Sequence, residues 1–172
     1  MRKIWISFVS TLIVTAMLTM NAFAMPYNPN DYTSVNVESE FLPSEIKRSQ
    51  VTESAKRRGD FFISADLIIK DNGNGDVGAF AKAYMAVPVD EAYITVYLDR
   101  WDKAADRWRQ VTYYDAEFYA KDFPEGISDP SIDVTFKDQE KGYYYRVRGV
   151  FAAVRGYDFE GFSPTTAGIL IE

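Results

Sequence analysis

Apolar and polar side chains alternate along most of the chain after residue 60. In the longest run, residues 142–154, every second side chain forms one apolar face, made of Tyr143, Tyr145, Val147, Gly149 and Phe151. The intervening Tyr144, Arg146 and Arg148 form a face that can meet water. Aromatic and β-branched residues favour pleated strands, so this run predicts a central strand of an antiparallel sheet.

The same period of two predicts six more strands. They cover residues 61–70, 77–87, 92–101, 107–114, 131–137 and 166–172. Turn residues separate them about every 8 to 12 residues, and no segment has a convincing helical period. This pattern predicts an all-β fold, a seven-stranded antiparallel β-sandwich, with a small β-barrel as the alternative.

The segment Asp71-Asn72-Gly73-Asn74-Gly75-Asp76 separates the first two of these strands. Its residues tolerate positive φ or cap turns, so it predicts a hairpin connection. A calcium loop of the EF-hand type needs oxygen ligands at its third and fifth positions, where this segment has glycines. A metal loop is the alternative, and its ligands would be Asp71, Asn74 and Asp76.

The N-terminus has the pattern of an export signal. Arg2 and Lys3 precede an uncharged, mostly apolar stretch at residues 4–20, and Ala22-Phe23-Ala24 has the small-x-small form of a cleavage site. We expect a signal peptide at residues 1–24 and a secreted, extracellular product without a membrane segment. An uncleaved anchor is the alternative, because an apolar run of about 17 residues is near the lower limit for crossing a bilayer.

Residues 25–58 are rich in Pro, Asn, Ser and Glu, and Pro26, Pro29 and Pro43 interrupt any long regular element. This composition predicts a flexible N-terminal leader. The β-sandwich domain is then expected to span residues 59–172.

The composition excludes several kinds of active site and ligand. The 172 residues contain no His and no Cys, and removal of residues 1–24 leaves 17 basic and 25 acidic side chains, a net charge of −8. An acidic chain is unsuited to nucleic acid, whose phosphates need a basic surface. Disulfides, His-based triads and His-ligated metals are excluded, and we predict no cofactor.

Four segments resemble strands of fibronectin type III domains. They are residues 94–100 (ITVYLDR), 108–111 (WRQV), 142–150 (GYYYRVRGV) and 162–164 (FSP), which are similar to that family's strands C, C′ and F and the start of G. The resemblance implies the sandwich architecture and a corner tyrosine, Tyr143 or Tyr145, whose hydroxyl bonds back to the main chain. The Trp that the family has on its second strand is replaced here by Tyr84 or Met85.

The chain as a whole also resembles small, uncharacterised exported β-sandwich proteins of Gram-positive bacteria. They share a signal peptide, a Trp after a β-strand and a strand similar to Tyr-Tyr-Tyr-Arg-Val-Arg. This resemblance implies export, and it implies no activity.

We predict a non-catalytic binding or interaction module at the cell surface or in the medium. Its candidate binding face joins the polar sides of two strands and consists of Tyr93, Tyr97, Trp101, Tyr144, Arg146 and Arg148. Aromatic rings stack on sugars and Arg pairs with carboxylates, so a cell-wall or acidic glycan or a protein partner would suit this face. Ordinary cross-strand pairing of Arg with Asp is the competing interpretation.

Two other functions stay open. A glycosidase would use two carboxylates on loops or strand ends, and the candidates are Asp99, Asp102, Asp106, Glu117, Asp122 and Glu125. A structural surface domain would self-assemble by adding the sparsely charged edge at residues 166–171 to a neighbour's sheet.

Overall fold

The computed structural model describes residues 27–54 and 60–172. The predicted signal peptide at residues 1–24 lies outside the described residues. The described part forms nine strands and two short 3₁₀ helices, η1 (Pro29–Asp31) and η2 (Ala120–Asp122). The strands are β1 (Arg48–Ser54), β2 (Phe62–Asp71), β3 (Val77–Met85), β4 (Glu91–Asp102), β5 (Arg107–Tyr119), β6 (Ser131–Phe136), β7 (Tyr143–Arg155), β8 (Asp158–Phe162) and β9 (Ile169–Ile171).

The strands pair into two antiparallel sheets. The first has the order β1-β2-β3-β6, and the second has the order β5-β4-β7-β8, with β9 also pairing to β7. The predicted all-β sandwich is therefore confirmed, and the strands do not close into one ring. Two strands exceed the predicted seven: β1 comes from the expected leader, and β8 lies between the last two predicted strands.

The core lies between the two sheets and uses the apolar faces that the alternation indicates. Leu67 and Ile69 of the first sheet and Val96 and Val147 of the second are fully buried. Strand β3 contributes small side chains, Ala79, Ala81 and Ala83, which are also buried. Burial of apolar surface at this interface is the main stabilising contribution to the fold.

The strands of the second sheet are held together through β4 and β7. Strand β4 pairs with β5 and β7, and β7 pairs also with β8 and β9. The expected corner tyrosine is Tyr145, which is buried and donates its hydroxyl hydrogen to the carbonyl of Glu140 at 2.9 Å. That bond fixes the start of β7 against the preceding turn.

The expected leader is structured where it is described, which differs from the prediction of a flexible segment. β1 pairs along its whole length with β2, from Arg48 opposite Lys70 to Ser54 opposite Ser64. Residues 27–42, called the arm below, lie across the outer face of β4 and β7. The arm is held by separate hydrogen bonds and ring contacts and not by the regular hydrogen-bond ladder of paired strands. The sequence therefore has no periodic pattern that would predict the position of the arm.

No helix in residues 27–54 and 60–172 has the length and apolar content needed to span a bilayer.

Candidate functional site

The outer face of β4 and β7 brings the predicted binding residues together. Antiparallel pairing places Asp99 opposite Arg146 and Tyr97 opposite Arg148. The arm covers this face, so Tyr97 is 3% exposed, Arg146 is 0% exposed and Arg148 is 2% exposed. The predicted residues are neighbours, but three of them are closed to solvent and do not form the open face that was expected.

A buried charged cluster, consisting of Asp99, Arg146 and Arg148, lies at the centre of this face. The Nε atoms of Arg146 and Arg148 donate to Oδ2 of Asp99 at 3.1 and 2.7 Å. The terminal nitrogen Nη2 of Arg148 donates to Oδ1 of Asp99 at 3.0 Å. Two cations thus share one anion. The contact between Asp99 and Arg146 is a cross-strand pair of the kind that the sequence predicts as the alternative to a binding face.

A β-bulge completes the surroundings of Arg148. The register of β4 and β5 shifts between Leu98, which is opposite Thr112, and Asp99, which is opposite Gln110. The extra residue, Val111, lets Gln110 reach the cluster, where its Oε1 accepts from Nη2 of Arg148 at 3.1 Å. Bulges commonly redirect a side chain in this way.

The arm supplies the remaining acceptors of the cluster. The terminal nitrogens Nη1 and Nη2 of Arg146 donate to the carbonyls of Val37 at 2.6 Å and Val35 at 2.8 Å. Nη1 of Arg148 donates to Oγ1 of Thr33 at 3.3 Å. These contacts satisfy the guanidinium donors with neutral oxygens, so the cluster keeps an excess of one positive charge.

Aromatic rings enclose the two guanidinium groups. Arg146 lies 4.4 Å from the ring centroid of Trp108, and Arg148 lies 4.6 Å from that of Tyr97. Burial lowers the pKa of Arg146 below its ordinary value, and the charge of Asp99 opposes this change. The ring faces partly replace the water that the buried cations have lost.

The other three predicted residues lie at the two ends of the face. Trp101 and Tyr144 contact Phe41 of the arm in edge-to-face geometry, both with ring centroids 5.0 Å apart. Phe41 also stacks on Trp108 at 5.5 Å. At the opposite end, Tyr93 stacks on Tyr27 at 4.8 Å.

A cleft of about 640 Å³ opens beside the Phe41 contacts, between the arm and the turn that joins β4 to β5. Its aromatic wall consists of Phe41, Trp101 and Trp108, and its polar lining includes Glu38, Glu40, Asp106 and Arg107. Phe41 is 44% exposed. This volume is in the range of small-molecule sites, which commonly combine aromatic walls with a few polar groups.

The carboxylates considered for glycoside hydrolysis have other contacts. Asp99 is buried and holds two arginines. Asp102 accepts from the backbone N–H groups of Ala104 and Ala105, and these bonds, with Arg109 nearby, hold its pKa below the ordinary value. A general acid needs a raised pKa instead. Glu117 bonds to the hydroxyl of Tyr119.

The remaining carboxylate candidates lie in two separate parts of the chain. Asp106 lies in the turn between β4 and β5, whereas Asp122 is in η2 and Glu125 is in the following loop. The catalytic pair of a glycosidase requires two carboxyl groups about 5 to 10 Å apart on either side of one cleft. Of the six candidates, only Asp106 lines the aromatic cleft.

The segment after β2 forms the predicted hairpin. Asp71 Oδ1 accepts from Gly73 N at 2.8 Å, Asp76 Oδ1 accepts from Asp138 N at 3.1 Å, and Asn74 has a φ of 58°. Both carboxylates therefore cap backbone N–H groups. Within the described residues, no group of three or more His, Cys, Asp or Glu side chains could hold a metal ion.

The edge considered for self-assembly is partly occupied by the arm. Gly168 N donates to the carbonyl of Glu40 at 2.7 Å, and Leu42 N donates to the carbonyl of Gly168 at 2.9 Å. These bonds form a parallel bridge between Phe41 and Gly168, next to β9. A neighbouring chain would have to displace the arm in order to pair there.

Sequence reasoning missed Phe41, Trp108, Glu38 and Glu40 as site residues. Phe41 was assigned to the leader, and Trp108 was used only as part of the family resemblance. One signal was present, because the outer faces of β4 and β7 carry more aromatic and ion-pairing side chains than a solvated sheet needs.

Neither a scan against protein-family models nor a search of the curated proteins found a match for this chain.

Proposed function

We propose that this protein is an exported, non-catalytic binding module whose ligand is a neutral carbohydrate chain. The aromatic cleft between the arm and the β4–β5 turn is the observation that carries this proposal. Phe41 is exposed and Trp101 is half-buried, so both offer ring surface at the edge of the cleft. Rings of this kind stack on the apolar faces of sugars.

The polar lining determines the charge of the ligand. Glu38, Glu40 and Asp106 bring three carboxylates to the cleft, and Arg107 brings one cation. Carboxylates accept hydrogen bonds from sugar hydroxyls, whereas they repel an acidic polymer. The acidic glycan considered from the sequence depended on Arg146 and Arg148, which are covered here.

Tryptophan fluorescence gives a direct test of this site. Trp101 and Trp108 both line the cleft, and the third Trp of the chain, Trp5, falls in the predicted signal peptide. Titration of residues 25–172 with neutral cell-wall oligosaccharides should change the emission and saturate. Trp101→Ser should weaken binding at least tenfold, as judged by retention on immobilised glycan, whereas the exposed control Tyr157→Ser should bind normally.

The proposal fails if no neutral glycan is retained, or if Trp101→Ser binds as well as the control. Circular dichroism of both variants verifies that the sheet content is kept. Export is tested separately by mass spectrometry of the culture medium, where we expect a product that begins at Met25. A chain that stays intact in the membrane fraction would contradict the export part.

A further inference from the structure

The arm occupies the outer face of the second sheet as a bound peptide would, with η1 near its start and a turn at residues 34–37. At one end it forms main-chain hydrogen bonds with Gly168, next to β9. In its middle, the carbonyls of Val35 and Val37, which lie in this turn, accept hydrogen bonds from Arg146. Strand addition at a sheet edge combined with capture of acceptors by arginine is a common mode of peptide recognition.

Charge complementarity supports this view of the arm. Residues 27–42 contain Asp31, Glu38 and Glu40 and no basic residue, a net charge of −3. The face beneath contains the buried charged cluster, which has one positive charge in excess. An acidic segment therefore covers a basic site.

The arm is more exposed than the strands that it covers. None of residues 27–42 is fully buried, whereas Asp99, Arg146 and Arg148 beneath them are almost completely inaccessible. Release of the arm would separate the stacked rings of Tyr27 and Tyr93, and it would return water to charged groups whose burial is unfavourable.

Four side chains of the arm form hydrogen bonds with the second sheet or the segment before β9. Asn30 accepts from Tyr97 and Thr33 accepts from Arg148. Ser39 donates to the carbonyl of Thr166, and the hydroxyl of Tyr27 bonds to that of Thr95.

We propose that the arm is a displaceable cover and that the face beneath it is a binding site for an acidic peptide. Such a peptide would pair with the edge at Gly168 and place its acceptors on Arg146, as the arm does. This site lies next to the aromatic cleft, and Trp108 belongs to both. Because Phe41 of the arm forms one wall of that cleft, a peptide that displaces the arm would also remove this wall.

The test uses residues 25–172 and a fluorescent synthetic peptide with the sequence of residues 27–42. In the chain variant N30A/T33V/S39A, which removes three side-chain anchors of the arm, the peptide should bind saturably with one site per chain. A control peptide with Asp31→Asn, Glu38→Gln and Glu40→Gln should bind at least tenfold more weakly. Adding Arg146→Lys to the chain variant should also weaken binding of the acidic peptide at least tenfold. The ammonium group of Lys lacks the planar fork with which Arg donates to two carbonyls at once.

Binding that is equal for the acidic and neutral peptides would overturn the proposal. So would tighter binding of polygalacturonate than of the peptide to the same variant, because the site would then take an acidic glycan. Peptide binding is measured without any sugar, so its failure and the failure of the carbohydrate proposal can be told apart.

Amide exchange on the unsubstituted chain gives a second test that needs no variant. The amide of Gly168 is protected by the arm, whereas the amides of Gly149 and Thr166 donate within the sandwich, to Pro164 and Val147. Reversible release of the arm predicts that Gly168 exchanges at least tenfold faster than Gly149 and Thr166. Equal exchange of all three amides would show that the arm leaves only when the whole domain unfolds, which would overturn the proposal.

Discussion

Asp99 is the residue on which the buried charged cluster depends, because both arginines use it as their only anionic partner in the cluster. Its pairing with Arg146 could be predicted from the sequence, since the two lie opposite each other on strands that the alternation places correctly. Burial of the cluster could not be predicted. A period of two shows which side chains share a face, and it does not show whether another segment covers that face.

Substitutions of Asp99 and Arg146 should differ strongly in their effect on stability. Asp99→Asn leaves two buried cations without an anion and should lower the free energy of unfolding by about 3 to 5 kcal/mol. Arg146→Met leaves a balanced pair of Asp99 and Arg148 and frees two carbonyls of the accessible arm, so it should cost about 1 to 2 kcal/mol. Urea unfolding measures both, and equal losses would contradict the shared role of Asp99.

Tyr27 gives the arm a dependence on alkaline pH. Burial raises its pKa to about 12, from 10.0 when it is free. Because the unfolded chain releases this proton at lower pH than the folded chain does, the stabilisation is complete below pH 10 and is lost as the pH rises towards 12.

Urea unfolding at several pH values across this interval should show a steeper loss of stability for the unsubstituted chain than for Tyr27→Phe. Tyr93 also has a raised pKa, first from burial and then from Glu91, so the variant should keep part of the slope. Parallel profiles of the two proteins would exclude a contribution from Tyr27.

Among the elements, the strands of the sandwich were largely predictable and the arm was not. β3, β4, β6 and β7 lie within two residues of their predicted bounds, because the residue types that suit the core recur at every second position along them. β5 is five residues longer than predicted, since its last part, as far as Tyr119, is an edge with mixed burial. β1 was not predicted, because it is also an edge strand and its side chains are mostly polar.

The β2–β3 turn permits a test with two neighbouring glycines. Gly73 and Gly75 have φ values of 82° and 85°, so a side chain is strained at either position. A Cβ on Gly73 would meet nothing within 4 Å, whereas a Cβ on Gly75 would lie 2.6 Å from the carbonyl oxygen of Gln139.

Gly73→Ala should therefore cost about 1 kcal/mol of stability. Gly75→Ala should cost about 2 to 4 kcal/mol, because the main chain near Gln139 has to move as well. Thermal unfolding of both variants measures the difference. Equal transition temperatures would show that the β6–β7 connection adapts without cost.

For the whole molecule, the N-terminal segment joins the two sheets from outside. β1 extends the first sheet, and the arm covers the second, so one continuous segment contacts both layers. The candidate site follows from this arrangement. Its predicted residues were correctly grouped by the strand pattern, but the cleft exists only because Phe41 reaches Trp101 and Trp108, contacts that connect distant parts of the chain.

The bonds from Arg146 to Val35 and Val37 span 111 and 109 residues of sequence. During translation, the arm emerges from the ribosome long before β7 does. The outer face of β4 and β7, which the arm covers, is therefore absent while most of the chain is being made. Contacts between such distant positions form slowly, because a long loop must close first. We therefore expect the two arginines to stay hydrated until β7 has joined the second sheet, and the arm to close over them only after that.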